Sequence, residues 1–211
     1  MAISGDAVAT GIVTNLGRPE ANVTGSTFFL PELNAKRLEM LIEVLPHVSL
    51  VGALSNPANP VSRPVIPAMR AAAGPLKLEI EVFEVQGPGD FDSAFEAITK
   101  THVNAVAVTE DGEFAASFKT IAALAVGNKL PSIGSKEYAE AGGLIGYGVN
   151  ILSLYRRAAY FIDKILKGSK PADLPIEQPT RFEFVINLKT AKALGLNIPP
   201  LQLSRADEVI E

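Results

Sequence analysis

The sequence contains no cysteine and no tryptophan, and these absences narrow the chemistry that it can support. Without cysteine there is no disulfide framework, no thiolate metal ligand and no cysteine nucleophile. The compartment cannot be inferred from this absence, because cysteine-free chains occur in both the cytoplasm and the periplasm. Tyrosine and phenylalanine supply all of the aromatic residues, which make up 7% of the chain.

Long apolar runs and long basic runs are also missing. No apolar stretch approaches the ~20 residues that a membrane-spanning helix needs. The N-terminal MAISGDAVATG lacks the basic start and apolar centre of a signal peptide. The net charge is −4, and no run of Lys or Arg exceeds two residues, so nucleic acid is not an expected partner. We expect a soluble chain that carries no export signal of its own.

Signatures of catalysis are absent as well. The sequence has no G-x-S-x-G elbow, no P-loop and no G-x-G-x-x-G after a predicted strand. Its two histidines, His47 and His102, each precede a predicted strand and therefore belong at the amino ends of the sheet, away from a ligand. We predict no catalytic residue, no metal ligand and no cofactor, and a small hydrolase has no motif in its favour.

A repeated strand–helix pattern is what the sequence does contain. Apolar runs predict five strands, at 48–54, 78–85, 105–110, 131–134 and 144–148. The segments between them predict helices at about 60–73, 91–100, 114–130 and 135–143. This alternation predicts an α/β fold, a doubly wound parallel sheet, over residues 46–149.

The flanking segments are less regular. We predict helices at 5–17, 31–45, 150–168 and 188–196, and strands at 22–28 and 181–187. The helix at 150–168 has the clearest apolar face, made of Ile151, Leu154, Tyr155, Ala158, Phe161, Ile162 and Ile165. The tail from 198 to 211 has no predicted place in the fold.

Ligands of open α/β sheets bind at the carboxyl ends of the strands, so the residues that follow each strand are the candidate site. These are mostly uncharged hydrogen-bonding side chains, with two acids and two tyrosines: Asn56, Asn59, Ser62, Glu110, Asp111, Ser135, Tyr138, Tyr147 and Asn150. Such a set suits a small polar or aromatic organic molecule.

The stretch SNPANP (55–60) makes the most specific prediction. Pro60 suits the first position of a helix, which places Asn59 at the N-cap. The N–H groups of Val61 and Ser62 would then be free to bind an anion such as a carboxylate. The alternative is that Asn59 only caps its own helix.

Two other pairs of residues leave alternatives open. Glu110 and Asp111 either hold a ligand ammonium or begin the next helix and favour its dipole. Tyr138 and Tyr147 either stack on an aromatic ring or belong to the core.

Several segments resemble one known family: PELNAKRLEML, VGALSNPANP, LPSIGSKEYAEAGGLIGYGVN and, most specifically, DKILKGSKPADLPIEQPT with FVINLKTAKALGL. They resemble the substrate-binding proteins of ABC transporters linked to aromatic amino acids, over essentially the whole chain. The resemblance implies a type I periplasmic binding protein, with two lobes, hinge crossings and a small ligand clamped between the lobes. It also implies no chemistry, a periplasmic location and delivery of the ligand to an ABC permease.

Compared with that family, the chain lacks an export signal and much of the first lobe. The resemblance implies that residues 1–45 are a remnant of the first lobe and hinge, and that 46–149 form a complete second lobe. Residues 150–211 would then return to the first lobe through a helix and a hinge strand. Thr24 and Ser26 are expected at the hinge, facing the ligand, and Asp6 is expected to cap the first helix. Because an incomplete lobe exposes a sheet edge and apolar faces, we expect homo-oligomers.

Two functions from different classes fit these observations. The first is a solute-binding component of an ABC importer that binds a small aromatic or amino-acid-like carboxylate. The second is a cytoplasmic ligand-sensing dimer without a transport role, which the missing signal peptide favours and the family resemblance does not.

Overall fold

The computed structural model describes residues 4–8, 10–20 and 22–211. These residues form two compact units. Unit 1 consists of the described residues of 1–30 together with 149–182, and unit 2 consists of 31–148 and 183–211.

Unit 2 is organised around a sheet in which the described strands follow the order β2-β1-β3-β4-β5-β6-β7. The strands are β1 Leu50–Ser55, β2 Glu79–Glu84, β3 Ala105–Val108, β4 Ser132–Gly134, β5 Ile145–Val149, β6 Phe182–Asn187 and β7 Glu208–Ile210. Pairing is parallel between β1 and β2, β1 and β3, β3 and β4, β4 and β5, and β6 and β7. The predicted α/β fold with a mostly parallel sheet is confirmed, and β6 and β7 extend this sheet beyond residues 46–149.

Helices connect the strands. They are α1 Leu30–Val44, α2 Val65–Leu76, α3 Phe91–Lys100, α4 Gly112–Ala116, α5 Phe118–Gly127, α6 Lys136–Glu140, α7 Ile151–Leu166 in unit 1, α8 Leu188–Leu194 and α9 Pro200–Arg205. Short 3₁₀ turns occur at Pro60–Ser62, Pro88–Asp90 and Pro171–Asp173. Asp90 precedes α3, and its carboxylate accepts hydrogen bonds from the upstream N–H groups of Gln86 and Gly87.

The core of unit 2 includes Tyr138, which is completely buried. Its hydroxyl donates to Ser132 Oγ over 2.8 Å, and its ring meets that of Phe118 edge-on with 5.5 Å between centroids. Glycines make room for it, since a Cβ at Gly134 or Gly143 would overlap the tyrosine ring. Burial raises the pKa of the Tyr138 hydroxyl, against the opposing effect of the Ser132 hydrogen bond. Tyr138 is therefore a core residue, and the expectation that it stacks on a ligand ring is not met.

Two predicted helices of unit 2 are interrupted. The helix predicted over 60–73 is a 3₁₀ turn at 60–62 followed by α2, because Pro64 has no N–H with which to continue the hydrogen-bond ladder. The helix predicted over 114–130 is divided into α4 and α5 at Ser117, whose N–H bonds to the carbonyl of Phe114, three residues back.

The start of the chain, in unit 1, also differs from prediction. The described residues of 5–17 form turns and bends rather than a helix, and Ala9 lies outside the described residues. This segment is rich in β-branched residues, which favour helices weakly, and Gly11 adopts a left-handed conformation with φ of 73°. Asp6 therefore caps no helix; its carboxylate accepts from the N–H of Val8. The strand predicted at 22–28 is reduced to isolated bridges between Ser4 and Thr27 and between Ser26 and Glu177.

Helix α7 forms where the sequence predicts the helix with the clearest apolar face, but only part of that face is buried. Leu154 and Phe161 are buried, whereas Tyr155 and Ile162 are each 57% exposed. Arg157 of this helix pairs with both carboxylate oxygens of Glu177, at 2.5 and 2.6 Å.

Among the described residues, no helix is both long and apolar enough to cross a membrane.

The C-terminal tail, which the sequence left unplaced, supplies α9 and the edge strand β7. Lys136 at the start of α6 reaches Glu208 in β7 at 2.7 Å and Glu183 in β6 at 3.3 Å, and also contacts Glu140. Burial lowers the pKa of Lys136, but the hydrogen bonds to Glu208, Glu183 and Glu140 outweigh it, so the pKa is raised overall. The lysine is therefore charged at neutral pH and fastens the last two strands to α6.

Replacing Gly143 by Ala tests the packing around Tyr138. The new methyl group would overlap a ring that has no free space, so we expect the free energy of unfolding to fall by about 2 kcal/mol. Denaturant unfolding measures this, with Gly74→Ala as the control, because a Cβ at Gly74 in α2 meets nothing within 4 Å. Equal stability of Gly143→Ala and wild type would contradict the described packing.

Candidate functional site

The register of the sheet determines which residues share its carboxyl edge. Leu54 of β1 is paired with Val108 of β3. Because the two strands are parallel, Asn56 after β1 and Glu110 and Asp111 after β3 lie at the same edge. The candidate residues that the sequence predicts after these two strands are thus brought together in unit 2.

Asp111 connects the two asparagines of SNPANP. Its Oδ2 accepts hydrogen bonds from Asn56 Nδ2 at 3.0 Å and from Asn59 Nδ2 at 2.9 Å. Its Oδ1 accepts from the N–H of Glu113 at 2.8 Å, which caps α4. Because three protein donors share its two oxygens, Asp111 fixes the loop. We call Asn56, Asn59 and Asp111 the asparagine clasp.

The predicted anion site at the start of 60–62 is not present. Asn59 is the N-cap, as predicted, but its Oδ1 accepts from the N–H of Val61 at 3.1 Å. The N–H of Ser62 donates to the carbonyl of Asn59 at 3.0 Å, in the manner of a 3₁₀ turn. Neither N–H is free for an anion, so the alternative that Asn59 caps its own helix is the one observed. Ser62 is 3% exposed, and its hydroxyl has no hydrogen-bond partner among the described residues.

Glu110 has a different environment from Asp111. Its Oε2 accepts a hydrogen bond from Asn34 Nδ2 at 2.7 Å, and its Oε1 lies 2.6 Å from Arg37 Nη1 in an ion pair. The Glu110 side chain retains 21% exposure. An oriented and partly exposed carboxylate at a sheet edge is suited to binding a cation such as an ammonium group.

Arg37 is the residue that holds this edge together. The Arg37 side chain is 2% exposed. Its Nε donates to the carbonyl of Tyr147 at 2.8 Å, and its Nη1 contacts Asn34 Oδ1 at 3.3 Å as well as Glu110. Its Nη2 has no hydrogen-bond partner within the part of the chain that the structure describes. Buried polar groups are nearly always hydrogen-bonded, so this nitrogen requires an acceptor beyond those that the described residues supply.

The sequence-based search did not identify Asn34 and Arg37, because it looked only at residues after strands. The sequence of α1 nevertheless contains a pattern that indicates these two residues. Both residues fall on the same helical stripe as the buried apolar positions of α1, namely Leu30, Leu33, Leu38 and Leu41. A polar residue on such a stripe is informative, because burial of a charge requires partners.

Two other predicted residues are Ser135, which follows β4, and Tyr147, which lies within β5. Ser135 caps α6 by accepting from the N–H of Tyr138 at 3.3 Å. Tyr147 is half-buried in β5, and burial raises the pKa of its hydroxyl while Lys36 and Arg37 partly oppose this. The phenol therefore stays protonated at neutral pH.

The remaining predicted residues belong to unit 1. Thr24 is 3% exposed, and its hydroxyl donates to the carbonyl of Leu174 at 2.9 Å. Ser26 is buried, and its hydroxyl has no hydrogen-bond partner among residues 4–8, 10–20 and 22–211. Asn150 caps α7 by accepting from the N–H of Ser153 at 2.8 Å. A ligand role for these three residues stays a prediction.

The cluster in unit 2 has the chemistry of a binding site. It offers a carboxylate, a guanidinium, amides and a phenol. Across the described chain no group of three or more His, Asp or Glu side chains is arranged to hold a metal ion.

The match to a known family agrees with this chemistry. Residues 1–210 match the family of ABC transporter substrate binding proteins, and the chain belongs to that family. Its members are binding proteins rather than enzymes. The fold resembles type I periplasmic binding proteins over part of their length.

Individual relatives are similar over nearly the whole chain. A tyrosine-binding protein of Clostridioides difficile is 24% identical over 192 residues, which are 90% of this chain. The chain spans only 55% of the length of that curated relative. An ABC domain from Streptococcus pneumonia, solved in complex with L-Trp, has 30% identity and a TM-score of 0.90, covering 100% of this chain and 72% of that one. The ligand-free, open structure of a substrate-binding protein with adhesive properties from Clostridium difficile has 23% identity and a TM-score of 0.74, covering 99% and 70%.

Replacing Asp111 by Asn tests the asparagine clasp. Asparagine preserves the N-cap of α4 but turns one acceptor oxygen into a donor that faces other donors. We expect the free energy of unfolding to fall by about 2 kcal/mol, the size of a hydrogen bond to a charged group. Denaturant unfolding measures the change, and the exposed Asp92→Asn in α3 is the matched control. A change below about 0.5 kcal/mol would rule out the clasp.

A double-mutant cycle tests the ion pair. Arg37→Met leaves Glu110 without its cation, and we expect a loss of about 2 kcal/mol, below the 3–5 kcal/mol of fully buried pairs because Glu110 is partly exposed. Glu110→Gln added to Arg37→Met removes the uncompensated charge, so the double variant is expected to be more stable than Arg37→Met alone. Additive effects of the two substitutions on unfolding free energy would show that the residues are not coupled.

Proposed function

We propose that the chain is the solute-binding component of an ABC importer and that it binds an aromatic L-amino acid of the tryptophan and tyrosine type. The observation that carries this proposal is Glu110, an anchored and partly exposed carboxylate at the ligand edge of the sheet, in a chain of this family. Relatives named for tyrosine and solved with L-Trp support the aromatic class. The family match favours transport over the regulatory alternative. The proposal includes a periplasmic location and an ABC permease as partner.

Glu110 is the proposed acceptor for the ligand ammonium. Of the two adjacent acids, Asp111 has both oxygens occupied by the asparagine clasp and the cap of α4. Both oxygens of Glu110 also have a protein partner, but each has only one, both partners belong to α1, and the Glu110 side chain retains 21% exposure. Because a charge-assisted hydrogen bond is about twice as strong as a neutral one, an ammonium here contributes substantially to affinity.

The other proposed contacts are uncharged. Tyr147 offers a half-buried ring and a protonated hydroxyl, and Ser62 offers a buried hydroxyl. Asn56, Asn59 and Ser135 shape the loops at the ends of β1 and β4. From unit 1, Thr24, Ser26 and Asn150 are kept as proposed contacts on the strength of the family resemblance.

A ligand panel with two variants tests the proposal. Calorimetry and thermal shift are measured with L-Trp, L-Tyr, L-Leu and 3-(indol-3-yl)propanoate, which lacks the ammonium. A ligand at 100 times its Kd should add about 2.7 kcal/mol of stability. We expect the aromatic amino acids to bind and the deaminated acid to bind at least tenfold more weakly. In Glu110→Gln this difference should shrink, since a hydrogen bond to a charged group contributes about 1.5–3 kcal/mol.

Glu113→Gln is the control, because Glu113 is an exposed acid three residues further along the chain. It is expected to bind as wild type does. If neither aromatic amino acid binds wild type, the proposed function is wrong. If they bind but Glu110→Gln retains full discrimination against the deaminated acid, the role of Glu110 is wrong and the aromatic class stands.

A further inference from the structure

We propose that a notch beside Gly148, formed by Arg37 Nη2 and the backbone N–H of Lys136, holds the carboxylate of the bound amino acid. The inference rests on the proposed function and assigns the second charged group of its ligand. It replaces the start of 60–62 as the carboxylate site, because the N–H groups there are already used.

The first donor is Arg37 Nη2. The other nitrogens of this guanidinium are engaged, Nε with the Tyr147 carbonyl and Nη1 with Asn34 and Glu110. Arg37 is 1% exposed, and in the described part of the chain no acceptor meets Nη2. A guanidinium nitrogen carries two N–H groups in a rigid plane, a geometry that matches carboxylate oxygens. The unused half of Arg37 therefore points to an anionic acceptor from outside the protein.

The second donor is the backbone N–H of Lys136, which lies near Gly148. A Cβ built on this glycine would lie 3.5 Å from the nitrogen of Lys136 and 3.6 Å from Arg37 Nη2. Lys136 is the first residue of α6, a position whose N–H has no acceptor within its own helix. The two atoms nearest to this Cβ position are thus both hydrogen-bond donors, and an oxygen placed there would lie close to both.

The notch and Glu110 together match the head group of an α-amino acid. Arg37 contacts Glu110 at 2.6 Å, so a cationic and an anionic side chain stand next to each other at the edge of the sheet. An α-amino acid carries its ammonium and its carboxylate on the same carbon. Glu110 facing the ammonium and Arg37 facing the carboxylate therefore complement the zwitterion, whereas an amine or an acid alone satisfies only one of the two.

Gly148→Ala tests the notch without removing a donor. The neighbours of the new methyl group lie at 3.5 Å or more, an ordinary contact distance, and the backbone of Gly148 is not in the left-handed region. The variant is therefore expected to melt at the temperature of wild type without ligand. Gly74→Ala, with open space around it, is the control.

We expect L-Trp affinity in calorimetry to fall at least tenfold in Gly148→Ala and to be unchanged in Gly74→Ala. Tryptamine, which lacks the carboxylate, is expected to bind wild type and Gly148→Ala equally weakly. Arg37→Lys, which keeps the charge beside Glu110 but loses Nη2, is a second variant expected to show the same loss for L-Trp.

Undiminished L-Trp affinity in Gly148→Ala would overturn the inference and leave the notch as a site for water only. Where Gly148→Ala does not fold, undiminished affinity in Arg37→Lys overturns it equally. In both cases the proposed function survives, because L-Trp still binds. Absence of binding by wild type to L-Trp and L-Tyr would instead remove the proposed function and this inference together.

Discussion

A buried guanidinium is the constraint on which the carboxyl edge of the sheet in unit 2 depends. Moving the charge of Arg37 out of water costs several kcal/mol unless acceptors replace the lost hydration. The acceptors come from three places, namely Asn34 in α1, Glu110 after β3 and the Tyr147 carbonyl in β5. Because Arg37 contacts all three acceptors, it fixes α1 against β5 and the end of β3. Exposed pairs such as Lys36–Glu39 and Lys167–Asp163 have no comparable effect, because water competes for their charges.

The fold was predictable from sequence where local pattern and burial agree. Strands β1 and β3 are apolar throughout and bounded by polar turns, as strands covered on both faces require. The sequence pattern did not predict helix boundaries that depend on a single residue. Pro64 breaks the hydrogen-bond ladder before α2, and Ser117 divides α4 from α5 without any proline or glycine to announce it. The C-terminal strand β7 is too short, at three residues, to show a period.

The candidate site was predictable in position but not in detail. The rule that ligands bind at the carboxyl ends of parallel strands led to Asn56, Asn59, Glu110 and Asp111, and the register of β1 with β3 brings these residues to one edge. Which oxygens and N–H groups remain available depends on contacts between segments distant in sequence. Asp111 meets Asn56 from 55 residues away, and Arg37 meets the Tyr147 carbonyl from 110 residues away. No local pattern encodes such pairs, although Arg37 was marked by its place on a buried stripe.

Lys136 has one further consequence, which concerns communication along the sheet. Its backbone nitrogen lies near Gly148 in β5, while its side chain pairs with Glu183 in β6 and Glu208 in β7, the next two strands of the sheet. If the proposed notch is right, a carboxylate bound to this amide would also restrict the side chain that holds β7. Because linkage is reciprocal, binding at the notch and ordering of β7 would then stabilise each other. Slower hydrogen exchange in β7 would in that case report occupancy of the notch from two strands away.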